Sequence, residues 1–452
     1  MVNVRRAAGL RQTLASLSAG QVSATELAQQ ALERARLGQS RVNAFATIAQ
    51  DSALRAAEES DRRYALGAPR ALEGLPITVK DLIDMQGVET RYGSAAYNGH
   101  VPVRDAELAR ALIQQGAVII GKTTTHEFAW GVSTASDTFG DTRNPLDLAR
   151  IPGGSSGGAA ASIADGTVAA GIGTDTGGSV RIPAALCGVV GYKPSFGVLP
   201  TQGILPLSPS LDHPGLLGAC VDDVVVLAQA LGIGAGTAAE PPTVRLGVIP
   251  RIEPIAPSDE VRTAFEDALA RMSGAFTLDE INTTGLFGET YAAFATIVLA
   301  EGGITHFSRN DWSVISTRYG AETVDRLTRS KALTLGDYAQ AQEARRRFAA
   351  ALGKAMQSAD FLVLPTLPCT APLIGQTELR IGDWAGTVRE ALMTYTAPFN
   401  LAGCPAVSIP LPAEGSALPA ALQVVGRPGD DGTLLQLALK IEGMVGPQDR
   451  PA

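Results

Sequence analysis

A lysine at the end of an apolar segment and a glycine-serine loop are the residues most suited to chemistry. Lys80 follows residues 75–79, which predict a short buried strand, and burial lowers the pKa of a lysine so that it can act as a base. Residues 176–179 read Thr-Gly-Gly-Ser, which places Ser179 beside backbone N–H groups that could bind an oxyanion. Alone, such a lysine is more typical of a salt bridge and such a loop of a turn. With the second glycine-serine loop at 153–158, they indicate a serine nucleophile activated by lysine.

Two other motifs match the sequence formally but lack the context that their chemistry needs. Residues 116–123 match the nucleotide P-loop, yet the four positions that should form the phosphate loop are Ala-Val-Ile-Ile, a strand interior. We therefore interpret Lys122 as part of a turn after a strand. Residues 153–157 match the G-x-S-x-G nucleophile elbow, which must directly follow a strand, whereas Pro152 precedes the loop here.

Composition restricts the function classes. The 452 residues include 49 glycines, and 45% of the chain is hydrophobic, which allows a large core. The net charge is −8 with no basic block, which argues against nucleic acid and anionic membranes as partners. No apolar run reaches the roughly 18 residues of a membrane span. Only six of the 37 basic residues are lysines: Lys80, Lys122, Lys193, Lys331, Lys354 and Lys440.

The cysteines and histidines predict neither a disulfide framework nor a metal site. The four cysteines are far apart and the four histidines do not pair at ligand spacing. The N-terminal residues lack the sustained apolar core of a secretion signal. We therefore expect buried thiols, no metal, and a cytoplasmic location.

The elements around these motifs predict an α/β sheet covered by helices on both faces, because strand patterns alternate with helical ones. A capping box of Ser23 and Glu26 supports helix formation within residues 11–35. Residues 235–242 predict a linker, and 255–357 a helical elaboration on the core. Further helices are predicted at 51–64, 106–115, 159–164, 258–273, 319–357 and 434–444, strands at 75–80, 117–120, 167–172, 246–249 and 361–364, and a closing hairpin at 403–428.

The chain resembles the amidase signature family. The matching segments are GLPITVKDLID (74–84), GAVIIGKTTTHEFAWG (116–131), TRNPLD (142–147), PGGSSGGAAA (152–161), GTDTGGSVRIPAALCGVVGYKPSFG (173–197), SLDHPGLLGACVDDVVVLAQAL (210–231), and more weakly FNLAGCPAVSIP (399–410) and ALQVVGRP (421–428). The resemblance is dense over about 70–231 and thin over 255–357.

This resemblance implies a central mixed, twisted β-sheet in a single domain, with its core at about 65–235 and 360–445. It implies a Ser–cisSer–Lys triad in which Ser179 is the nucleophile, Ser155 the bridging serine after a cis peptide bond, and Lys80 the base. The oxyanion hole would be the N–H groups of Thr176, Gly177, Gly178 and Ser179. No cofactor or metal is implied, and the partners would be a small amide and water, with the protein a monomer or homodimer.

Several residues are candidates for binding the substrate. Arg181 could bind a carboxylate, although an ion pair with Asp175 is the simpler interpretation, and Ser156 is a hydrogen-bonding neighbour of the triad. The proline-rich loop 197–209, with Trp130 and Phe399, would favour a hydrophobic or aryl amide if it borders the pocket. Carbamates and esters would suit the same chemistry.

The family includes the glutaminase subunit of the tRNA-dependent amidotransferase, which is the alternative function. The acidic residue with which that glutaminase binds its substrate aligns here with Met393, and a methionine cannot hold the amino group of glutamine. This departure favours a stand-alone amidase.

Overall fold

The structure is a computed structural model that describes residues 7–136, 138–234, 244–412 and 418–446. The linker predicted at 235–242 lies outside these residues. Within them, none of the helices is both long and apolar enough to cross a lipid bilayer.

The strands build one large mixed sheet and one small hairpin. They are β1 (Phe45–Ile48), β2 (Pro76–Lys80), β3 (Val118–Thr123), β4 (Ala170–Asp175), β5 (Val190–Lys193), β6 (His213–Gly218), β7 (Arg245–Val248), β8 (Thr277–Glu280), β9 (Phe361–Pro365), β10 (Glu378–Ile381), β11 (Trp384–Thr387), β12 (Ala406–Leu411) and β13 (Ala420–Val425). The large sheet has the order β1-β3-β2-β4-β6-β5-β12-β13-β9-β7-β8, and β10 pairs with β11. The pairs β3–β2, β2–β4, β9–β7 and β7–β8 are parallel and the other neighbours antiparallel.

Helices surround this sheet. They are α1 (Leu10–Ser18), α2 (Ala24–Val42), α3 (Gln50–Ala65), α4 (Glu107–Gln114), α5 (Gly157–Ala164), α6 (Arg181–Cys187), α7 (Val221–Ala230), α8 (Asp259–Met272), α9 (Thr290–Phe307), α10 (Trp312–Arg318), α11 (Ala321–Ser330), α12 (Leu335–Ala355), α13 (Val388–Thr394), α14 (Pro398–Leu401) and α15 (Asp431–Val445). The predicted capping box is present at the start of α2, where Ser23 and Glu26 exchange hydrogen bonds.

The core lies on both faces of the sheet. In β9, Phe361 and Val363 belong to one apolar cluster, and Leu362 and Leu364 to the other, as the two-residue period of a strand requires. Helices α7, α8 and α15 contribute to the first cluster, and α9–α14 to the second. The predicted mixed sheet with helices on both faces is confirmed.

The sheet brings the candidate residues together at one edge. Strands β2 and β4 are parallel neighbours, with Val79 opposite Ile172, so their carboxyl ends meet. Lys80 ends β2, and Asp175 ends β4 directly before the loop that contains Ser179. Sites in α/β sheets commonly form at such carboxyl ends.

Three predictions about secondary structure differ from the structure. The strand expected at 167–172 runs over 170–175 instead. Its Gly171 allows a close approach to β2, since a Cβ there would lie 2.5 Å from Thr78 Oγ1. The elaboration at 255–357 is not wholly helical, since β8 forms the sheet edge. The helix expected at 319–357 is two helices, and the second begins at a new N-cap, Thr334.

Candidate active site

Lys80 is fully buried at the carboxyl end of β2. Its Nζ lies 2.7 Å from Ser155 Oγ and 2.8 Å from Thr174 Oγ1. Burial lowers the pKa of Lys80 to about 7, although the negative charges of Asp175 and Asp212 act in the opposite direction. A large fraction of Lys80 is therefore neutral near pH 7, as a general base requires.

The glycine-serine loop before α5 positions Ser155 against Lys80. The Gly154–Ser155 peptide bond is cis, which is the geometry expected for the bridging serine. Gly153 has a φ of +84°, and its carbonyl oxygen accepts a hydrogen bond of 2.7 Å from Thr134 Oγ1. The Ser155 side chain is completely buried, so its position is fixed by the loop and by the lysine.

The predicted oxyanion hole needs one correction. The N–H of Gly178 donates to Asp175 Oδ1 at 2.8 Å, so it is not available to a substrate. The N–H groups of Thr176, Gly177 and Ser179 have no acceptor within the described residues. All three residues line one cavity, which we call the Ser179 cavity. Three N–H groups therefore remain for an oxyanion beside the Ser179 side chain.

Ser156 connects the two loops and does not contact the Ser179 cavity. Its N–H donates to Ser179 O at 3.1 Å, and its Oγ donates to Thr174 O at 3.1 Å and accepts from Thr174 N at 3.2 Å. Because Ser156 is fully buried and its polar atoms are engaged, its assignment to substrate binding is wrong. It holds the cis-serine loop against β4.

Arg181 is likewise buried and unavailable to a substrate. Its Nη2 lies 2.9 Å from Asp175 Oδ1 and donates to Asn400 Oδ1 at 2.6 Å. Its Nη1 donates to Thr396 O and to Gln423 Oε1. The possible carboxylate-binding role is therefore wrong, and the simpler interpretation, an ion pair with Asp175, is confirmed. The Arg181 charge, with other groups, holds the pKa of Asp175 well below its usual range.

The Ser179 cavity is small and mainly apolar. Its wall consists of Ala129, Trp130, Gly131, Val132, Thr176, Gly177, Ser179, Leu207, Phe294, Val298, Arg389 and Met393. Trp130 is in this wall as predicted, whereas Phe399 is fully buried in the core and does not line the cavity, so that prediction is wrong. The free volume is about 10 Å³, space for about one water molecule. A larger acyl group requires movement of a side chain such as the flexible Met393.

The proline-rich loop 197–209 borders two cavities. Leu207 lines the Ser179 cavity. A second cavity of about 220 Å³, here called the His213 cavity, is lined by Leu82, Thr174, Thr201, Ile204, Leu205, Pro206, Pro209, Asp212, His213 and Pro214. The loop therefore borders the Ser179 cavity through Leu207, which is the condition under which the sequence favours a hydrophobic or aryl amide.

Several residues of the site were missed from the sequence. Thr174 contacts Lys80 but lies within β4, just before the Thr-Gly-Gly-Ser loop that the sequence singled out. Arg389 lies in the wall of the Ser179 cavity and donates to Trp130 O at 3.2 Å, and the Arg326 guanidinium lies 5.9 Å from the Trp130 ring. Arg326 lies in the segment predicted only as a helical elaboration, and no local signal distinguished it from the neighbouring arginines.

Two further lysines, Lys122 and Lys193, are buried as Lys80 is. Lys122 lies in β3 and not in a turn; it is fully buried, 3.3 Å from Asp81 Oδ1 and 2.7 Å from Thr90 Oγ1. Lys193 is also fully buried and donates to Pro194 O at 3.0 Å. The interpretation of Lys122 as a turn residue is therefore wrong, because an ion pair keeps it inside the sheet.

The cysteines are free thiols, as predicted, but only Cys187 and Cys404 are fully buried; Cys220 and Cys369 are partly exposed. Among the described residues, no group of three or more His, Cys, Asp or Glu side chains could hold a metal ion.

Comparison with known proteins decides the family. The family model named Amidase matches residues 26–435, which is most of the chain. This chain belongs to the amidase signature family. Among members of known sequence, it is 34% identical to a glutamyl-tRNA(Gln) amidotransferase subunit from Anaeromyxobacter dehalogenans (strain 2CP-C), over 98% of this chain and 97% of the relative.

Solved amidase structures share the whole fold. A crystal structure of an amidase matches with a TM-score of 0.89 at 33% identity and covers 97% of this chain and 100% of its own. The structure of 6-aminohexanoate cyclic dimer hydrolase complexed with substrate matches with a TM-score of 0.85 at 25% identity over 98% of both chains. This amidase signature protein is therefore an amidohydrolase of C–N bonds.

Proposed function

We propose that this chain hydrolyses a small amide through a Ser–cisSer–Lys acyl-enzyme mechanism. Neutral Lys80 takes a proton from Ser155, Ser155 takes one from Ser179, and Ser179 attacks the amide carbonyl. The oxyanion binds the N–H groups of Thr176, Gly177 and Ser179. Ser155 returns a proton to the leaving nitrogen, and water then hydrolyses the ester by the same relay. The observation that carries this proposal is the 2.7 Å contact between Lys80 Nζ and the cis-linked Ser155.

The preferred substrate is a hydrophobic or aryl amide with a small acyl group, and carbamates or esters suit the same attack. The apolar side chains of Trp130, Phe294, Val298 and Met393 in the Ser179 cavity support this choice. Arg389 adds one cationic group to the same wall, so an acyl group with an acceptor atom at its far end also fits.

A glutaminase subunit of a tRNA-dependent amidotransferase is the second candidate, since the relative from Anaeromyxobacter is named as part of such a transferase and matches over nearly its whole length. Glutamine bears an ammonium group that needs an acceptor. The described residues that line the Ser179 cavity include no Asp or Glu, and Met393 stands in the wall. This composition supports the stand-alone amidase over the second candidate.

The test is activity of the purified chain on the 4-nitroanilide of propionic acid, with intact-protein mass spectrometry under rapid quench. We expect nitroaniline release and a protein mass raised by one propionyl group on Ser179. Ser179→Ala should abolish both signals. Ser156→Ala, which removes the neighbouring serine that contacts β4, should lower stability but retain acylation.

Two outcomes would contradict this proposal. Acylation that persists in Ser179→Ala would exclude Ser179 as the nucleophile. A chain that is inert toward the anilide, but releases ammonia from glutamine once partner proteins and tRNA-linked substrate are added, would instead establish the second candidate.

A further inference from the structure

Asp212 lies directly before β6 and faces the start of the oxyanion loop, residues 176–179. Strand β6 is antiparallel to β4, with His213 opposite Asp175. One residue further along this register, Asp212 stands opposite Thr176. The Thr176 hydroxyl donates a hydrogen bond of 2.6 Å to Asp212 Oδ1. A carboxylate next to the neighbouring strand therefore holds the first residue of the oxyanion loop, and hydrogen bonds to a charged acceptor are stronger than neutral ones.

The other carboxylate oxygen of Asp212 holds part of the wall of the Ser179 cavity. Asp212 Oδ2 accepts hydrogen bonds from Leu207 N at 2.9 Å and from Ser208 N at 3.0 Å. Leu207 lines the Ser179 cavity, as Thr176 does. One carboxylate thus joins the loop that carries the oxyanion N–H groups to the loop that closes the cavity beside the nucleophile.

Glu301 of α9 fixes the same wall segment from its other side. It accepts hydrogen bonds from Ser208 Oγ at 2.7 Å and from Ser210 N at 3.0 Å. The segment is therefore anchored to α9 independently of the oxyanion loop. Because Asp212 is bonded to this anchored segment and to Thr176, it transmits a fixed position to the oxyanion loop.

The charge of Asp212 also acts on the proposed base. Burial lowers the pKa of Lys80, and the charges of Asp175 and Asp212 act against this effect. Asp175 is paired directly with Arg181, whereas the hydrogen bonds to Asp212 from described residues come from one hydroxyl and two backbone N–H groups. Burial raises the pKa of Asp212 itself; these three hydrogen bonds oppose that rise, and the Glu301 charge adds to it. Asp212 thus places a negative charge without a cationic partner in contact near the base.

We propose, resting on the function above, that Asp212 is a positioning residue that holds the oxyanion loop through the Thr176 hydroxyl and places a negative charge near Lys80. The two roles can be separated. Asp212→Asn removes the charge but can keep the hydrogen bonds, since the amide oxygen accepts from the two N–H groups and the NH2 donates to Thr176 Oγ1. Thr176→Val removes the hydroxyl and keeps the charge.

The first measurement tests the loop through kcat on the 4-nitroanilide of propionic acid. We expect kcat to fall by about tenfold or more in Thr176→Val, because the oxyanion N–H groups lose their fixed position. Thr176→Ser, which retains the hydroxyl, should stay within about threefold of the parent, and Thr328→Val on the exposed face of α11 should leave kcat unchanged. An unchanged kcat in Thr176→Val, or an equal loss in Thr176→Ser, would overturn the loop role.

The second measurement tests the charge through the pH profile of kcat/KM. Loss of a nearby negative charge favours the neutral amine, so the acidic limb should move to lower pH by about half a unit or more in Asp212→Asn. Thr176→Val should leave this limb in place, and so should Asp259→Asn, the same change at an exposed position of α8. An unmoved limb in Asp212→Asn would overturn the electrostatic role.

The third measurement needs no turnover and titrates Lys80 by NMR of protein with ¹³C-labelled lysine. Lys80→Met identifies the Lys80 signal among the six lysines. Asp212→Asn should lower the pKa of Lys80, whereas Lys193, whose pKa burial also lowers to about 7, should keep its value as an internal control. Hydrogen exchange of a peptide that spans residues 174–181 should be faster in Thr176→Val and unchanged in Thr176→Ser.

These measurements separate the possible failures. If the parent does not cleave the anilide, but the Lys80 titration and the hydrogen exchange change as expected, the proposed function fails and the role of Asp212 stands. If Lys80 titrates alike in the parent and in Asp212→Asn, the electrostatic role fails whatever the turnover. Unchanged hydrogen exchange in Thr176→Val likewise overturns the loop role.

Discussion

At the scale of residues, Lys80 and Arg181 are both fully buried near the end of β4, but they have different neighbours. Arg181 contacts the carboxylate of Asp175 directly, whereas the hydrogen bonds of Lys80 Nζ to described residues go to the hydroxyl groups of Ser155 and Thr174. A buried ammonium without a carboxylate in contact loses its proton readily, and a paired guanidinium keeps its charge. The same sheet edge therefore holds one group suited to proton transfer and one suited to structural support.

The pH dependence of the reaction should follow Lys80. Its pKa is lowered to about 7, so below that pH the amine is protonated and cannot accept the proton of Ser155. We expect kcat/KM for propionanilide to rise tenfold per pH unit below about pH 7 and to level off above it. Lys80→Ala should lose most activity together with this dependence. A profile that falls with rising pH would contradict the base assignment.

Arg181 should act on stability through Asp175. The pKa of Asp175 is held well below its usual range, so its carboxylate stabilises the fold above the unfolded pKa of about 3.9, and this contribution is lost as the pH falls toward the folded pKa. Arg181→Met leaves a buried charge unpaired and should cost about 3–5 kcal/mol in the free energy of unfolding at pH 8.

Urea unfolding followed by tryptophan fluorescence measures this loss. The control is Arg346→Met, which removes an exposed pair with Glu343 and should cost less than about 1 kcal/mol. A comparable small loss in both variants would show that Asp175 does not depend on Arg181.

At the scale of elements, the oxyanion loop depends on Gly178. It has a φ of +129°, and a Cβ there would lie 2.2 Å from Thr396 Oγ1, which donates to Gly177 O at 2.7 Å. Gly178→Ala must therefore displace the loop or Thr396. We expect a loss of about 100-fold in kcat, since displacement of about 1 Å has effects of that size.

The matched control for the loop is Gly353→Ala in α12, where a new Cβ meets nothing within 4 Å. It should leave kcat unchanged and raise stability slightly, because alanine favours helix more than glycine does. Steady-state kinetics on propionanilide with thermal unfolding measure both. Near-normal kcat in Gly178→Ala would show that the loop tolerates the displacement.

The contacts that could be predicted from sequence are those carried by contiguous motifs. Lys80, at the end of β2, and Ser179, in the loop after β4, lie in contiguous motifs of the amidase signature, and the resemblance implied that they act together although the end of β4 was predicted three residues too early. Phe294 and Arg389 reach the Ser179 cavity from α9 and α13, which are distant from Ser179 in sequence. Helical periodicity predicts which face of such a helix is apolar, but not which part of the protein that face packs against. The displacement of β4 to 170–175 was missed because Gly171 and Gly173 lack the apolar side chains that mark a strand.

At the scale of the whole molecule, the helical elaboration is continuous with the core. Strands β7 and β8 extend the main sheet beside β9, and Glu127 accepts hydrogen bonds from Gly320 N and Thr323 Oγ1 at the start of α11. We predict that the chain unfolds as a single domain, with one calorimetric transition whose enthalpy equals the van't Hoff enthalpy.

Differential scanning calorimetry tests this prediction. Glu127→Ala should lower the transition temperature without splitting the peak, and Glu343→Ala on the exposed face of α12 should leave it unchanged. Two resolved transitions in the parent protein would mean that residues 255–357 fold as a separate unit.

The distribution of lysines affects how this protein can be attached to a surface. Lys80, Lys122 and Lys193 are fully buried, while Lys331, Lys354 and Lys440 are exposed. Two of the exposed amines belong to the segment from α11 to α12 and the third to α15. Reagents such as succinimidyl esters will therefore modify few positions, and replacing Lys440 with arginine would confine lysine coupling of an immobilised enzyme to the side of α11 and α12.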